Sequence, residues 1–145
     1  MIPPVPVATV PAVTTVAASG VTRTQATLNG SITSDGGYNC TQVNFGYRPQ
    51  GTSTWQYTTT QYVILIAGAF SATVTGLSPG TAYEFEAQAY NQVGWGEGQI
   101  DSFTTADVAR WINIYWQTDE KYSWNTVTGP AAKTCTKAAA LSAAL

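Results

Sequence analysis

Apolar and polar residues alternate one by one through most of the first 105 residues of this chain. The clearest stretch sets four apolar residues against three polar ones: Tyr83, Phe85, Ala87 and Ala89 against Glu84, Glu86 and Gln88. Successive side chains of a strand point to opposite faces of a sheet, so this period predicts a strand with one buried face. Seven such segments recur roughly every 8 to 15 residues, without a helical pattern between them. The sequence therefore predicts an all-β fold, a seven-stranded antiparallel sandwich over residues 13–105.

The same alternation predicts which side chains fill the interior of the sandwich. We expect the space between the two sheets to be occupied by Leu28, Phe45, Val74, Tyr83 and Phe85. The last strand, around residues 99–105, is irregular, because Ile100 and Phe103 fall on opposite faces of an ideal strand. A β-bulge would bring the two into agreement.

Residues 77–94 carry a family resemblance. Their sequence is Leu-Ser-Pro-Gly-Thr-Ala-Tyr-Glu-Phe-Glu-Ala-Gln-Ala-Tyr-Asn-Gln-Val-Gly. It resembles the E–F corner and F strand of a fibronectin type III domain, where Leu-x-Pro-Gly-Thr-x-Tyr precedes alternating apolar residues and Asn-x-x-Gly. The resemblance extends over residues 10–105, and Leu28 in place of a B-strand Trp is similar to the microbial and phage versions. It implies an immunoglobulin-like sandwich whose Tyr83 hydroxyl returns to the corner backbone, and it says little about function.

Two segments lie outside this resemblance. Residues 1–12 hold four of the seven prolines and predict an extended leader or linker. Residues 106–145 form an aromatic-rich extension that contains three of the five tryptophans. Its alternation favours a β-hairpin, while a stripe through Val108, Trp111 and Tyr115 also fits a helix, and its Ala-rich end is weakly helical. So many aromatic side chains must pack, either on the sandwich or on a neighbouring subunit.

Charge and length exclude several partners. Only 10% of the residues are charged, against about a quarter in an average soluble domain. The six basic residues are scattered, so the patch that nucleic-acid binding needs is missing. The longest apolar run, Tyr62 to Phe70, has about half the length of a membrane-spanning helix, so we expect no membrane insertion. The start of the chain lacks a signal-peptide pattern, which predicts no export by that route unless an upstream segment has been removed.

Reactive chemistry is also scarce in the sequence. The chain has no histidine, so the usual catalytic triads and histidine-containing metal sites are impossible. Glu84 and Glu86 share the solvent face of one strand, and the glycines of residues 94–98 lack the partners of a phosphate-binding loop. We therefore expect no enzymatic activity, no cofactor and no metal. Cys40 and Cys135 either pair in a disulfide or remain two free thiols.

Two groups of residues are candidates for binding. The first is Tyr38 with Trp95, expected at the loop-rich end, where aromatic faces suit a sugar ring or a protein pocket unless Trp95 folds back over the sandwich. The second is a candidate assembly interface, drawn from an apolar run and from the extension: Val63, Ile64, Leu65, Ile66, Trp111, Tyr115, Trp116 and Trp124. The run is apolar on both faces of a strand, so its outer face must be covered by the extension or by another subunit.

These observations support two hypotheses about function. The leading one is a non-catalytic structural or interaction module on a virion or filament surface, a phage-like capsid decoration, tail or fibre component. Its partners would be copies of itself or other subunits of the particle. The alternative is a secreted or cell-surface adhesion or carbohydrate-binding module of a larger bacterial protein, which binds surface glycans through Trp95 and Tyr38. Either places the chain on a virion or on an extracellular surface.

Overall fold

The computed structural model describes residues 2–108, and residues 109–145 lie outside that description. Its strands are β1 (Ala12–Ser19), β2 (Gln25–Ser34), β3 (Cys40–Pro49), β4 (Gln56–Tyr57), β5 (Gln61–Leu65), β6 (Gly68–Thr75), β7 (Ala82–Asn91), β8 (Gly94–Glu97) and β9 (Asp101–Thr104). The described part contains no helix. It therefore offers no helical segment that could cross a membrane.

The strands form two antiparallel sheets. The smaller sheet has the order β1-β2-β6. In the larger sheet β3 and β7 are central, β4 and β5 both pair with β3, and β8 and β9 both pair with β7. The nine segments thus fill seven strand positions, which confirms the predicted seven-stranded sandwich. The hairpin or short helix predicted for residues 106–145 falls almost wholly outside the described residues.

All five predicted interior residues are buried between the sheets, which confirms the alternation. The rings of Phe45 and Phe70 lie 5.1 Å apart, centre to centre, and join the two sheets. Burial of one such side chain stabilises the fold by about 1.5–3 kcal/mol. Gly30 permits this close packing, because a Cβ there would lie 2.5 Å from the Cβ of Ala87.

The corner that precedes β7 has the predicted geometry. Tyr83 is buried, and its hydroxyl accepts a hydrogen bond from the backbone N–H of Ser78 at 2.9 Å. Thr105 closes the same corner, since its hydroxyl donates to the Ser78 carbonyl at 2.6 Å and accepts from the Thr81 N–H at 2.9 Å. These hydrogen bonds fix the turn at Pro79, which closes the sandwich at the start of β7.

The last strand position is interrupted, as its irregular pattern predicted. β8 and β9 are separated by residues 98–100. Phe103 packs against the core, whereas half of the Ile100 side chain is exposed. The break spans three residues, so it is longer than the single-residue bulge that would have reconciled the two positions.

The packed chain begins before residue 13. The backbone N–H of Thr9 donates to the carbonyl of Gly36 at 2.9 Å, Pro11 is buried, and β1 starts at Ala12. Residues 9–12 of the predicted leader therefore belong to the sandwich. Proline content alone did not distinguish an extended segment that packs from one that does not.

Candidate interaction surface

The outer face of the larger sheet carries a row of long side chains that crosses four strands. Tyr62 on β5 is paired with Gln42 on β3, Gln42 with Tyr90 on β7, and Tyr90 with Trp95 on β8. Neighbouring strands lie about 4.8 Å apart, so this cross-strand row extends roughly 14 Å across the sheet. It places three aromatic residues on one solvent-facing line.

The apolar run of residues 62–70 resolves into two strands in different sheets. β5 ends at Leu65 in the larger sheet, and β6 begins at Gly68 in the smaller one. Within the run, Val63 and Leu65 pack against the core of their own chain. These two members of the predicted assembly interface are therefore core-facing residues, because a strand of period two sends them inward.

The opposite side of β5 is apolar and faces solvent. Tyr62, Ile64 and Ile66 have 81%, 76% and 66% of their surface exposed. We call these three residues the β5 patch. Scattered exposed apolar residues are ordinary, but Tyr62 and Ile64 on β5 and Ile66 directly after it are three exposed apolar side chains at alternate positions. Two residues of the patch, Ile64 and Ile66, belong to the predicted assembly interface, and Tyr62 is an addition to it. The other predicted members lie outside the described residues: Trp111, Tyr115, Trp116 and Trp124.

The β5 patch lies at an open edge of the larger sheet. β5 pairs with β3 on one side, and no strand within residues 2–108 pairs with its other side. The chain between Arg48 and Glu84 contains no charged residue, so the segment that carries the patch is neutral. A neutral apolar edge with free backbone groups is a template for pairing with another chain.

Trp95 lies on a strand, so the expectation that a glycine loop presents it was wrong. It is 39% exposed on β8, and its ring lies 5.2 Å from that of Tyr90. The glycines that follow Trp95 allow the backbone of another segment to pass close to β8. A Cβ on Gly96 would lie 1.9 Å from the Pro11 carbonyl oxygen, and one on Gly98 would lie 2.5 Å from the Thr15 hydroxyl.

Tyr38 lies in the loop between β2 and β3, with 42% of its surface exposed. Among the described residues its ring stacks on no other ring, whereas Trp95 contacts Tyr90. Trp95 thus has Tyr90 as an aromatic neighbour, and the binding surface of Tyr38 with Trp95 stays a prediction.

Asn91, at the end of β7, is buried, and the sequence did not predict its burial. It is fully buried, and its side-chain nitrogen donates to the carbonyls of Thr9 at 2.8 Å and Asp35 at 2.7 Å. Its side-chain oxygen accepts from the N–H groups of Val93 and Gly94. One amide therefore joins the N-terminal segment, the β2–β3 loop and the β7–β8 turn. The available signal was the Asn-x-x-Gly pattern, in which an Asn before a turn bonds to the backbone beyond it.

The far half of the outer face is polar and internally paired. Arg48 donates to Glu84 at 3.1 Å, and its guanidinium lies 4.2 Å from the centre of the Trp55 ring. The ion pair is partly exposed, so its contribution to stability is below about 1 kcal/mol. The charged groups of Arg48 and Glu84 therefore pair with each other. The exposed apolar side chains of the β5 patch lie on the opposite half of the face.

Two groups on the larger sheet have shifted pKa values. Burial raises the pKa of Glu86, and the nearby Glu97 raises it further, while a hydrogen bond from Gln88 and the charge of Arg48 oppose the shift. Burial also raises the pKa of the Cys40 thiol, with a smaller effect from Asp35. A protonated, buried thiol is a poor nucleophile. Cys135 lies outside the described residues, so the disulfide with Cys40 stays a prediction.

No cluster of metal-ligating side chains occurs within residues 2–108. The outer face offers exposed aromatic and aliphatic side chains, amides and one ion pair. Such a surface can bind another molecule by burying apolar area and by backbone pairing along its edge.

Two antiparallel sheets closed by a tyrosine corner define an immunoglobulin-like β-sandwich. Within that class, the family model described as "Fibronectin type III domain" matches residues 11–105. The chain belongs to this family, and its members are generally non-catalytic binding or structural modules.

Similar solved structures come from bacteria and from animals. One is the sensor domain of the anti-sigma factor RsgI4 of Pseudobacteroides cellulosolvens, with 18% identity over 69% of this chain and 98% of that one, at a TM-score of 0.57. Another is a fibronectin type III domain of human collagen XX, with 21% identity over 72% of this chain and 100% of that one, at a TM-score of 0.51. At these identities the likeness shows the fold alone. No curated protein sequence matches the chain.

Proposed function

We propose that this chain is a non-catalytic module that docks onto proteins of a virion or filament surface, as a phage-like capsid decoration, tail or fibre component. The observation that carries the proposal is the β5 patch, three large apolar side chains exposed side by side on an open sheet edge. A solitary monomer gains nothing from such a row. An assembled subunit gains the free energy of removing it from water.

The neutrality of the segment that carries the patch supports docking by burial. With no charge between Arg48 and Glu84, a partner that covers the β5 patch desolvates no ionised group of that segment. Burial of one Ile or Tyr side chain contributes about 1.5–3 kcal/mol, and ordering and association costs offset part of the total. A single contact of this size is weak. In a particle that repeats the contact many times, avidity makes it stable, which favours a virion or filament over a solitary partner.

The test is incorporation into particles. Virions or filaments of the source organism are purified on a density gradient, and the chain is detected in their fractions. We expect the native chain to copurify, and Ile64→Lys to fall out of the particle fraction. Ile100→Lys is the matched control, because Ile100 is also exposed but lies at the opposite edge of the same sheet. Absence of the native chain from every particle fraction would refute the proposal.

A second candidate function rests on a separate observation, the aromatic pair of the half-buried Tyr90 and the exposed Trp95. Aromatic faces on a sheet surface bind the apolar faces of sugar rings, as in a secreted or cell-surface adhesion or carbohydrate-binding module. A glycan array separates this function from the first. Sugar binding that Trp95→Ala abolishes and Ile64→Lys leaves intact would favour the adhesion module.

A further inference from the structure

β5 lacks two of the devices by which sheet edges usually avoid pairing, a charged residue and a proline, although its register with β3 shifts by one residue between Cys40 and Gln42. Natural edges carry a Lys, a Pro, a bulge or an inward-pointing charge, or they are covered by another segment. Residues 61–66 read Gln-Tyr-Val-Ile-Leu-Ile, with no charge, no Pro and no Gly. Within residues 2–108 no strand pairs with the free side of β5. High β-propensity with low charge is also the composition of segments that pair with identical segments.

We propose that β5 pairs antiparallel with β5 of a second copy of this chain about a two-fold axis, which joins two larger sheets into one continuous sheet. The inference rests on the proposed function, because it names the partner of the β5 patch. Two identical copies satisfy the requirement of such an interface, in which the same patch must complement itself.

The alternation of β5 selects the register. Pairing centred on Ile64 sets Ile64 opposite Ile64 of the second copy and Tyr62 opposite its Ile66, the first residue after β5. The β5 patches of both copies then lie on one face and meet as a single apolar row. Val63 and Leu65 meet on the other face, above the two cores that they already contact. A slip of one residue would set exposed residues against core-facing ones, so this parity is fixed.

Electrostatics permits two copies to approach along this edge. No charged residue occurs between Arg48 and Glu84, so no like charges meet at the two-fold axis. The net charge of the chain is only −2, which leaves little long-range repulsion. A partner with a charged docking surface would find no complementary group there. The neutral edge therefore favours an equally neutral partner, such as a second copy.

The mass of the full-length chain in solution tests the pairing. Light scattering and analytical ultracentrifugation over a concentration series should show twice the monomer mass of 15.3 kDa. Ile64→Lys sets two like charges opposite each other at the axis and should raise the dimer dissociation constant by about 100-fold or more. Ile100→Lys should leave it unchanged. Both residues are exposed, and an unaltered melting midpoint for each variant, measured at a concentration at which the native chain is monomeric, confirms that neither effect comes from misfolding.

A cysteine at the centre of the pairing tests the register. In a Cys135→Ser background, Ile64→Cys should oxidise to a disulfide-linked dimer, because directly opposed Cα atoms lie about 4.5–5.5 Å apart, within disulfide range. Thr59→Cys in the same background lies five residues from the axis and should form no disulfide-linked dimer. Cys40 is buried in the core and does not compete. Equal cross-linking of both variants would contradict the register.

The outcomes separate this inference from the proposed function. A chain that is monomeric at every concentration, yet is lost from particles by Ile64→Lys, overturns the self-pairing and leaves the docking function standing with another protein on β5. A dimer that Ile64→Lys dissociates, in a chain absent from all particles, supports the pairing and refutes the particle function. A dimer that Ile64→Lys does not weaken overturns the pairing.

Discussion

At one edge of the larger sheet the strands β8 and β9 are covered by the chain's own β1, whereas at the other edge no strand within residues 2–108 pairs with the outer side of β4 or β5. The covered edge is held by Gln99, whose side chain accepts from the Thr15 N–H and donates to the Thr15 carbonyl. Gly96 and Gly98 allow the backbone of residues 11–15 to approach where any side chain would collide. The open edge has no glycine within β5 and presents the β5 patch instead.

The difference teaches how one sheet keeps one edge closed and the other available. A covered edge needs residues without side chains, so that a neighbouring backbone can come close, and polar groups that satisfy that backbone. An available edge needs side chains that project and a backbone that no local segment pairs. In this sheet, glycines therefore mark the edge that is covered, and exposed apolar side chains mark the edge that is available for pairing.

The largest expected effect is at Asn91, which ties the N-terminal segment to the covered side. Asn91→Ala leaves two carbonyls and two N–H groups without their partner and should lower the free energy of unfolding by about 3–4 kcal/mol. Gln92→Ala, at the exposed neighbouring position, should change it by less than about 0.5 kcal/mol. Chemical denaturation measures both. Equal losses would show that the amide network does not hold this end.

A smaller loss of unfolding free energy is expected at Gly96. This position tests whether a glycine is needed because a neighbouring backbone, and not a movable side chain, lies close to it. In Gly96→Ala the new methyl group meets the Pro11 backbone, which cannot turn aside, and the loss should be about 2–3 kcal/mol. Gly46→Ala is the matched change near the open edge, where the nearest atoms belong to the Tyr57 and Trp55 rings. Those rings can shift, so the loss there should stay below about 1 kcal/mol. Denaturation curves that rank the two variants the other way would contradict this account of the covered edge.

Gln99→Ala should open the covered edge at moderate cost. It removes two hydrogen bonds to Thr15 from a partly exposed site, so the expected loss is about 1 kcal/mol. The specific readout is hydrogen exchange, which should accelerate at the Thr15 amide and stay unchanged at amides of β3. Gln99→Glu keeps the acceptor but sets a carboxylate oxygen against the Thr15 carbonyl, so its loss of stability should be at least as large as that of Gln99→Ala. Unchanged exchange at Thr15 in Gln99→Ala would show that other contacts close this edge.

The sequence predicted the sandwich because its period of two survives wherever one face is buried. Leu28, Phe45 and Phe85 alternate with polar residues, so their burial followed from the pattern. The Tyr83 corner followed from the resemblance, since the turn motif carries its own geometry. These features depend on local order along the chain, which a sequence displays directly.

Features that depend on contacts between distant segments were not predictable in the same way. The glycines around Trp95 indicated a loop, because a sequence does not show that the Pro11 backbone passes over Gly96. The sequence of residues 62–70 did not show which side chains face the core, because apolar residues occupy both faces of the strand. Only the fold shows which face is buried. Asn91 is a polar residue whose burial depends on partners about 56 and 82 positions away.

The smallest expected effect concerns pH, and it separates the stability of the sandwich, which depends on Glu86 of the central strand β7, from pairing at the open edge. Burial raises the pKa of Glu86 in the folded state, so between the ordinary glutamate value, about 4.3, and that raised value the folded chain holds a proton that the unfolded chain has released. Stability should therefore fall as the pH rises through this interval, and Glu86→Gln should flatten the dependence and stabilise the chain at neutral pH. Pairing through β5 involves no charged residue of the 49–83 segment, so the dimer dissociation constant should be the same at pH 5 and pH 8. Denaturation and ultracentrifugation across that range measure the two quantities separately. A dissociation constant that follows the titration of Glu86 would place the interface on the carboxylate-bearing half of the sheet and would contradict the assignment of the open edge as the docking surface.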